Sequence, residues 1–286
     1  MTTLFQRWRT ILSRSFGALA IVAGLITNPM TPQPRRALLV YDFDLGPVPA
    51  SNVDHVRSLG FDGLVTRCSV ASDIPKLTQY ANHVASLSRF QMLAYVNYDF
   101  NHPDSPTVWR DALPILAALD APLWVIVKNA ASTAEVDDLL LRMARGSAAF
   151  GVPMVIYPHW NTNIENAAEA AIRIAQVGHA NIHTSLHTCH EIRSGNQYDL
   201  RTVVATHVQN TRLVTIAGAD SNAYAGPPPH TWSDAIRPLD RGGFDLTPFL
   251  HALRKSRYKG PVILHTWGLA NDPGHLARSI RTYAKY

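Results

Sequence analysis

Eight apolar, β-rich runs of strand length recur along the chain, and an amphipathic stretch of helix length follows each one. The runs predict strands at 37–44, 63–68, 91–98, 122–128, 152–157, 181–187, 212–217 and 261–265. Helices are predicted at 52–59, 73–87, 107–119, 132–150, 164–177, 200–208, 245–257 and 273–284. Parallel strands need crossover helices, and eight strand–helix units in unbroken order close on themselves. The predicted fold class is therefore α/β, a (β/α)8 TIM barrel. The strands are apolar on both faces, as buried parallel strands must be. An open doubly wound sheet is the rival, but no Gly-x-Gly-x-x-Gly turn follows the first strand. Gly60 and Gly178 supply helix stops, Ser72 and Asp245 supply caps, and Ser132-x-x-Glu135 reads as a capping box. A long Gly/Pro-rich connection, 218–243, separates strand seven from its helix.

The first 36 residues read differently. A basic start is followed by an apolar run from Phe16 to Ile26, then Asn28-Pro29 and a Pro-rich spacer. That layout predicts a signal peptide or membrane anchor over 1–36, ahead of a barrel domain over 37–286. The run is short of the roughly 20 residues a membrane span needs. The expected location is exported (periplasmic or extracellular) or tethered to a membrane through this segment, and cytoplasmic if the segment is not a true signal. The net charge of +5 also comes from here. Arg7, Arg9, Arg14, Arg35 and Arg36 stand without an acid, and the rest of the chain holds 21 basic and 21 acidic residues. A neutral barrel argues against a nucleic-acid partner. The two cysteines, Cys68 and Cys189, form no disulfide framework and do not settle the compartment.

Chemistry in such a barrel sits at the C-terminal ends of the strands. The polar groups falling there are Asp42 and Asp44, Arg67, Asn97 and Asp99, and Lys128. His159 with Trp160, His187 and His190, Asp220, and His265 with Trp267 complete the set. The densest stretch is Asn181–Glu191, with three histidines in eight residues. On a strand, His183, Ser185 and His187 share one face; His190 falls in a predicted loop beyond it. A lone histidine on an apolar strand is more often a core residue than a ligand, and His183 is read that way. His159, His187, His190 and His265 are expected to converge, and imidazole nitrogens suit Zn, Cu, Fe or Ni better than Mg or Ca. Three neutral histidines could hold a dication with an open position. Without a metal, the same rings could move protons on and off a carbon acid.

At this point the chain resembles the xylose isomerase-like barrel family over roughly 37–284. Gly243-Phe244-Asp245-Leu246-Thr247-Pro248-Phe249-Leu250 and Tyr258-Lys259-Gly260-Pro261-Val262-Ile263-Leu264-His265 are similar to the family's run into strand eight. Gly60-Phe61-Asp62-Gly63 resembles its approach to strand two, and Ser185–Gly195 its "D-T-x-H-x-x-x-x-G" segment. The resemblance implies a sugar isomerase, epimerase or related lyase. It also implies a divalent metal held by glutamate, aspartate, histidine and glutamate. Here those places hold His159, His187, His190 and His265, so three carboxylates have become imidazoles. Either a divalent transition metal (Zn, Mn, Fe or Co) is taken or no metal is used. The family's endonuclease branch needs more acids and a basic face, and the chain has neither.

The resulting expectation is proton abstraction next to a carbonyl of a small-molecule carbohydrate or keto-sugar. His159, His187, His190 and His265 are the expected metal or oxyanion ligands. The catalytic candidates are His190, Lys128 and Asp220. Arg67, Asn97, Trp160 and Trp267 are the substrate-binding candidates. A non-catalytic carbohydrate-binding or scaffold barrel is the alternative, and a hydrolase using metal-bound water is a third reading.

Overall fold

The computed structural model describes residues 36–223, 231–272 and 274–286. Residues 1–35 of the predicted signal or anchor segment, 1–36, lie outside the described residues, as do His230 and Pro273. Eight parallel strands form a closed barrel in chain order. They are β1 (Leu38–Tyr41), β2 (Gly63–Arg67), β3 (Gln91–Asp99), β4 (Leu123–Lys128), β5 (Met154–Ile156), β6 (Ile182–His187), β7 (Thr211–Ile216) and β8 (Val262–Leu264). Closure is made by β1 against β8, through Leu38↔Val262 and Leu39↔Ile263. The helices are α1 (Pro49–Ser58), α2 (Ile74–Val84), α3 (Ser105–Ala118), α4 (Thr133–Ala148) and α5 (Ala167–Val177). They continue as α6 (Thr188–Arg193), α7 (Leu200–His207), α8 (Trp232–Ala235), α9 (Thr247–Lys255) and α10 (His275–Tyr283). No described helix is long and apolar enough to cross a membrane.

The motif Gly60–Gly63 has a physical reason at each end. Gly60 leaves α1 at φ +97°, where a side chain would be strained. Asp62 accepts the Leu38 amide at 2.8 Å and so ties β2 to the start of β1. Gly63 has no room for a Cβ, which would collide with the Gln91 carbonyl and Leu39. Helix starts follow the expected caps with two differences. Ser132 accepts the Glu135 amide, but the Glu135 carboxylate reaches Ala131 rather than Ser132. Ahead of α2, Asp73 rather than Ser72 takes the free amides, those of Ser69 and Val70. Both amides bond one oxygen, Asp73 Oδ2, as charge-assisted hydrogen bonds to a carboxylate.

A layer of aromatic rings plugs the barrel interior. Trp124 and Tyr157 stack with centroids 4.5 Å apart, and Tyr95 meets Tyr157 edge-on at 5.6 Å. The Tyr41 and Tyr157 hydroxyls hydrogen-bond at 3.0 Å. Such pairs add about 0.5–1.5 kcal/mol each beyond area burial. The plug forms a rigid floor, so polar groups from the strand ends gather above it.

Candidate active site

Above that floor, at the C-terminal end of the barrel, lies a cavity of about 320 Å³. This is at the small end of the roughly 300–1,000 Å³ usual for small-molecule sites. Arg67, Asn97 and Lys128 reach it from the ends of β2, β3 and β4, and His159 from just past β5. His190 projects from α6, and His265 and Trp267 from the turn after β8. Trp232 of α8 covers it, 5.5 Å from the His159 ring and 5.3 Å from His190. Among the described residues, none of the lining groups is a carboxylate.

The four expected histidines do meet. Ring centroids of His159 and His190 are 4.1 Å apart, those of His187 and His190 5.2 Å, and those of His190 and His265 6.4 Å. His190 sits in the first turn of α6, not in a loop. The chain turns into a helix straight after β6, with the strand-end residue His187 at the N-cap position and no side-chain cap bond. His187 does not line the cavity. Its ring stacks on Tyr157 with centroids 3.9 Å apart.

Hydrogen-bond partners fix where the ring protons sit. The Ser185 hydroxyl has one proton and three neighbours: Trp124 Nε1–H, the Ile156 carbonyl and His187 Nε2. The carbonyl can only accept and the indole can only donate. The hydroxyl therefore gives its proton to Ile156, and His187 Nε2–H donates to Ser185. That leaves a lone pair on His187 Nδ1, which is buried without a partner. His159 donates Nδ1–H to the Trp160 carbonyl at 2.9 Å, leaving its Nε2 lone pair free. His190 has no partner on either nitrogen among the described residues. Burial pushes all four rings below the usual histidine range, His159 to about 4 and His265 to about 3; Lys128 adds to the shift at His159, and neighbouring imidazoles add to it at His187, His190 and His265. All four are neutral at pH 7.

Cys189, His190 and His265 each bring one ligand atom to within 4.8 Å of the others, and all three are buried. Sulfur with two nitrogens fits a borderline-soft ion such as zinc, iron or cobalt, and serves Mg²⁺ or Mn²⁺ poorly. One detail opposes ligation. His265 Nδ1 accepts a long 3.4 Å bond from the Trp267 amide, which places the proton on Nε2. A ligating histidine normally donates its second N–H instead.

Arg67, Asn97, Lys128, His159, His190, His265 and Trp267 thus share one cavity. Asp220 does not join them: Arg237 holds its carboxylate, with Nη2 to Oδ2 at 2.7 Å. Trp160 stands behind the cavity, edge-on to Trp232 at 5.7 Å. Tyr95, Tyr157, Trp232 and Cys189 went unread in the sequence. Tyr95 precedes Asn97 by two residues and so faces the same way, which is a usable signal. Trp232, inside the long connection, gives none. Arg193 of α6 fixes that connection. Its guanidinium donates to the Ala223 and Thr231 carbonyls and lies over Trp160 and Trp232 at 5.9 and 5.8 Å. Arg193→Met leaves those carbonyls unpaired and is expected to cost about 3 kcal/mol. Hydrogen exchange at the Asp234 and Ile236 amides should accelerate while β3 and β4 keep their protection. Unchanged exchange at these two amides would show that Arg193 is not the clamp.

This architecture has relatives. A 3-keto-D-glucoside 4-epimerase from E. coli superposes with a TM-score of 0.68 at 13% identity, covering 88% of this chain and 100% of that one. A D-psicose 3-epimerase from Clostridium cellulolyticum H10, solved with D-tagatose, gives 0.65 at 15%, covering 87% and 97%. A D-allulose 3-epimerase from Methylomonas sp., in complex with D-allulose, gives 0.63 at 15%, covering 87% and 91%. At such identities the likeness shows the fold alone. A comparison with curated protein sequences finds no match. The family model described as xylose isomerase-like TIM barrel matches residues 53–286, which is most of the barrel and every histidine of the cavity. With the barrel closed in the order its sequence predicts, the chain belongs to the xylose isomerase-like TIM barrel family.

Proposed function

We propose that the chain acts on a keto-sugar or related carbohydrate, moving a proton at the carbon next to a carbonyl by imidazole chemistry. The observation that carries this reading is the buried His190, unpartnered among the described residues, beside the Nε2 of His159, in a cavity with no carboxylate among its described lining. His159 Nε2 is the candidate base, and His190 the candidate donor or second base. Lys128 and Arg67 face the cavity as the charges that would hold an enediolate oxygen. Asn97 Oδ1, buried without a partner, is placed to accept a sugar hydroxyl. Trp232 and Trp267 offer flat faces to a sugar ring. An imidazole pushed down to about 4 is a weak base, but a neighbouring enediolate would raise it as the proton moves. Cys189, His190 and His265 would hold a soft dication, which supplies polarisation of the carbonyl when bound.

The absence of a lining carboxylate also favours a second reading, a carbohydrate-binding barrel without turnover. One experiment separates them. The protein is incubated in D2O with 3-keto-D-glucoside, D-allulose, D-tagatose and D-fructose, before and after chelation, with its metal content measured. Deuterium entering next to the carbonyl is the expected result, reduced about 10²-fold or more in His159→Ala and His190→Ala. Saturable sugar binding with no exchange would establish the binder instead.

A further inference from the structure

A second cleft, of about 410 Å³, opens at the opposite end of the barrel, where β7 and β8 begin. Its charged groups are Arg212, Arg257 and Lys259, and no described lining residue is an acid. Several cations elsewhere in the barrel do have carboxylate partners. Arg67 pairs with Asp73, Lys76 with Asp42, Arg173 with Asp137, and Arg278 with Asp240 and Asp272. Three like charges around one concavity repel one another, and an anion between them removes that cost.

The cleft is built rather than a frayed edge. The pairing of β6 with β7 skips from Thr184↔Thr211 to Ser185↔Leu213, so Arg212 is the extra residue of a bulge, a device that re-aims a side chain. Gly260 has no room for a Cβ, which would strike the Arg212 carbonyl and the Tyr258 hydroxyl. That hydroxyl bonds the Pro261 carbonyl at 2.6 Å and the Arg212 carbonyl at 3.2 Å, locking the wall. His183 donates Nδ1–H to Asn210 and receives Arg212 Nη2 at 3.4 Å. Arg212 is thus positioned by a neutral imidazole and keeps its charge uncompensated. The chain also enters the barrel here. Arg36 reaches the Tyr258 and Leu253 carbonyls.

We propose that this cleft binds a phosphate group, carried either by a soluble phosphate ester or by an anionic lipid headgroup. A guanidinium fork grips phosphate oxygens in pairs, and an ammonium adds a point charge. The test uses the full chain and an Arg257→Ala/Lys259→Ala double variant; both side chains are exposed, so folding should survive. Calorimetric titration with inorganic phosphate should show saturable binding that weakens at least tenfold in the variant. No saturable binding, or equal affinity in the variant, overturns the site. Flotation with phosphatidylcholine vesicles, with and without phosphatidylglycerol, then distinguishes the sources. Phosphatidylglycerol-dependent flotation that free phosphate competes away and the variant loses assigns a headgroup. Phosphate binding without such flotation assigns a soluble ester. A phosphatidylglycerol preference indifferent to both phosphate and the double substitution counts against the cleft.

Discussion

His190→Leu is expected to make the metal-free protein more stable and to abolish its chemistry. The two ring nitrogens are buried without a partner, and one of them carries a proton. Each unmet buried donor or acceptor costs about 1–3 kcal/mol, whereas an apolar side chain of similar volume leaves nothing unmet. Allowing for imperfect fit, a gain of about 2 kcal/mol should appear, or roughly 4–8 °C in Tm for a domain of this size. Tyr157, His159, His187 and Trp232 surround the ring and would accept an aliphatic neighbour. The same change removes the group that, on our reading, exchanges a proton with substrate, so deuterium exchange should disappear. The pairing matters, because sites kept for function are often unfavourable for the ligand-free fold. Thermal unfolding of the chelated wild type and variant decides it. A variant less stable by a kcal/mol or more would show that the imidazole is satisfied in solution, and His190 would lose its claim as the waiting group.

The barrel and the convergence of its histidines were legible because they rest on periodicity. Buried strands read as apolar runs, and whatever ends such a run in this fold faces one mouth. His159 and His265 followed from that rule alone. What lay beyond it needed three dimensions. The six residues Thr188–Arg193 are too few to show a helical period, so the turn that aims His190 and Cys189 was read as loop. Cys189 meets His265 across 76 positions of chain, which no local spacing encodes. Tyr95, Trp124 and Tyr157 look like ordinary strand aromatics; only packing reveals that they form a floor and that the His187 ring stacks on Trp124 and Tyr157. Asp220 is a polar group past a strand, as the rule asks. Its direction, however, is set by Arg237, a partner inside a connection with no periodicity to read.

Acid is expected to unfold the metal-free protein well above the carboxylate range. The cause is the same ring cluster, and the sign follows from proton counting. An unfolded histidine titrates near 6.5, whereas His159 is pushed down to about 4 by burial with Lys128 beside it, and His265 to about 3 by burial with His159 beside it. Above about pH 6.5 both states are neutral, and this stability is fully present. As pH falls below that value, the unfolded chain takes up protons that the native rings refuse. Each ring then withdraws about 1.4 kcal/mol per pH unit until its own native titration begins. Between pH 6.5 and 4 this amounts to roughly 3 kcal/mol for each of His159 and His265. His187 and His190, also lowered, act in the same direction. Asp44, Glu165 and Glu191 oppose them: burial raises these carboxyls, so the native state gains as they protonate, but only Glu191 among them is as buried as His187, His190 and His265. Set against a native stability of about 5–15 kcal/mol, the loss should bring unfolding near pH 5. Urea midpoints measured from pH 8 to 5 should fall steeply below 6.5, and the fall should be shallower by one ring's share in His190→Leu. A stability flat between pH 7 and 5 would mean that the rings are hydrated or already charged in the native state, and the neutral, water-excluding mouth on which the proton chemistry depends would not exist.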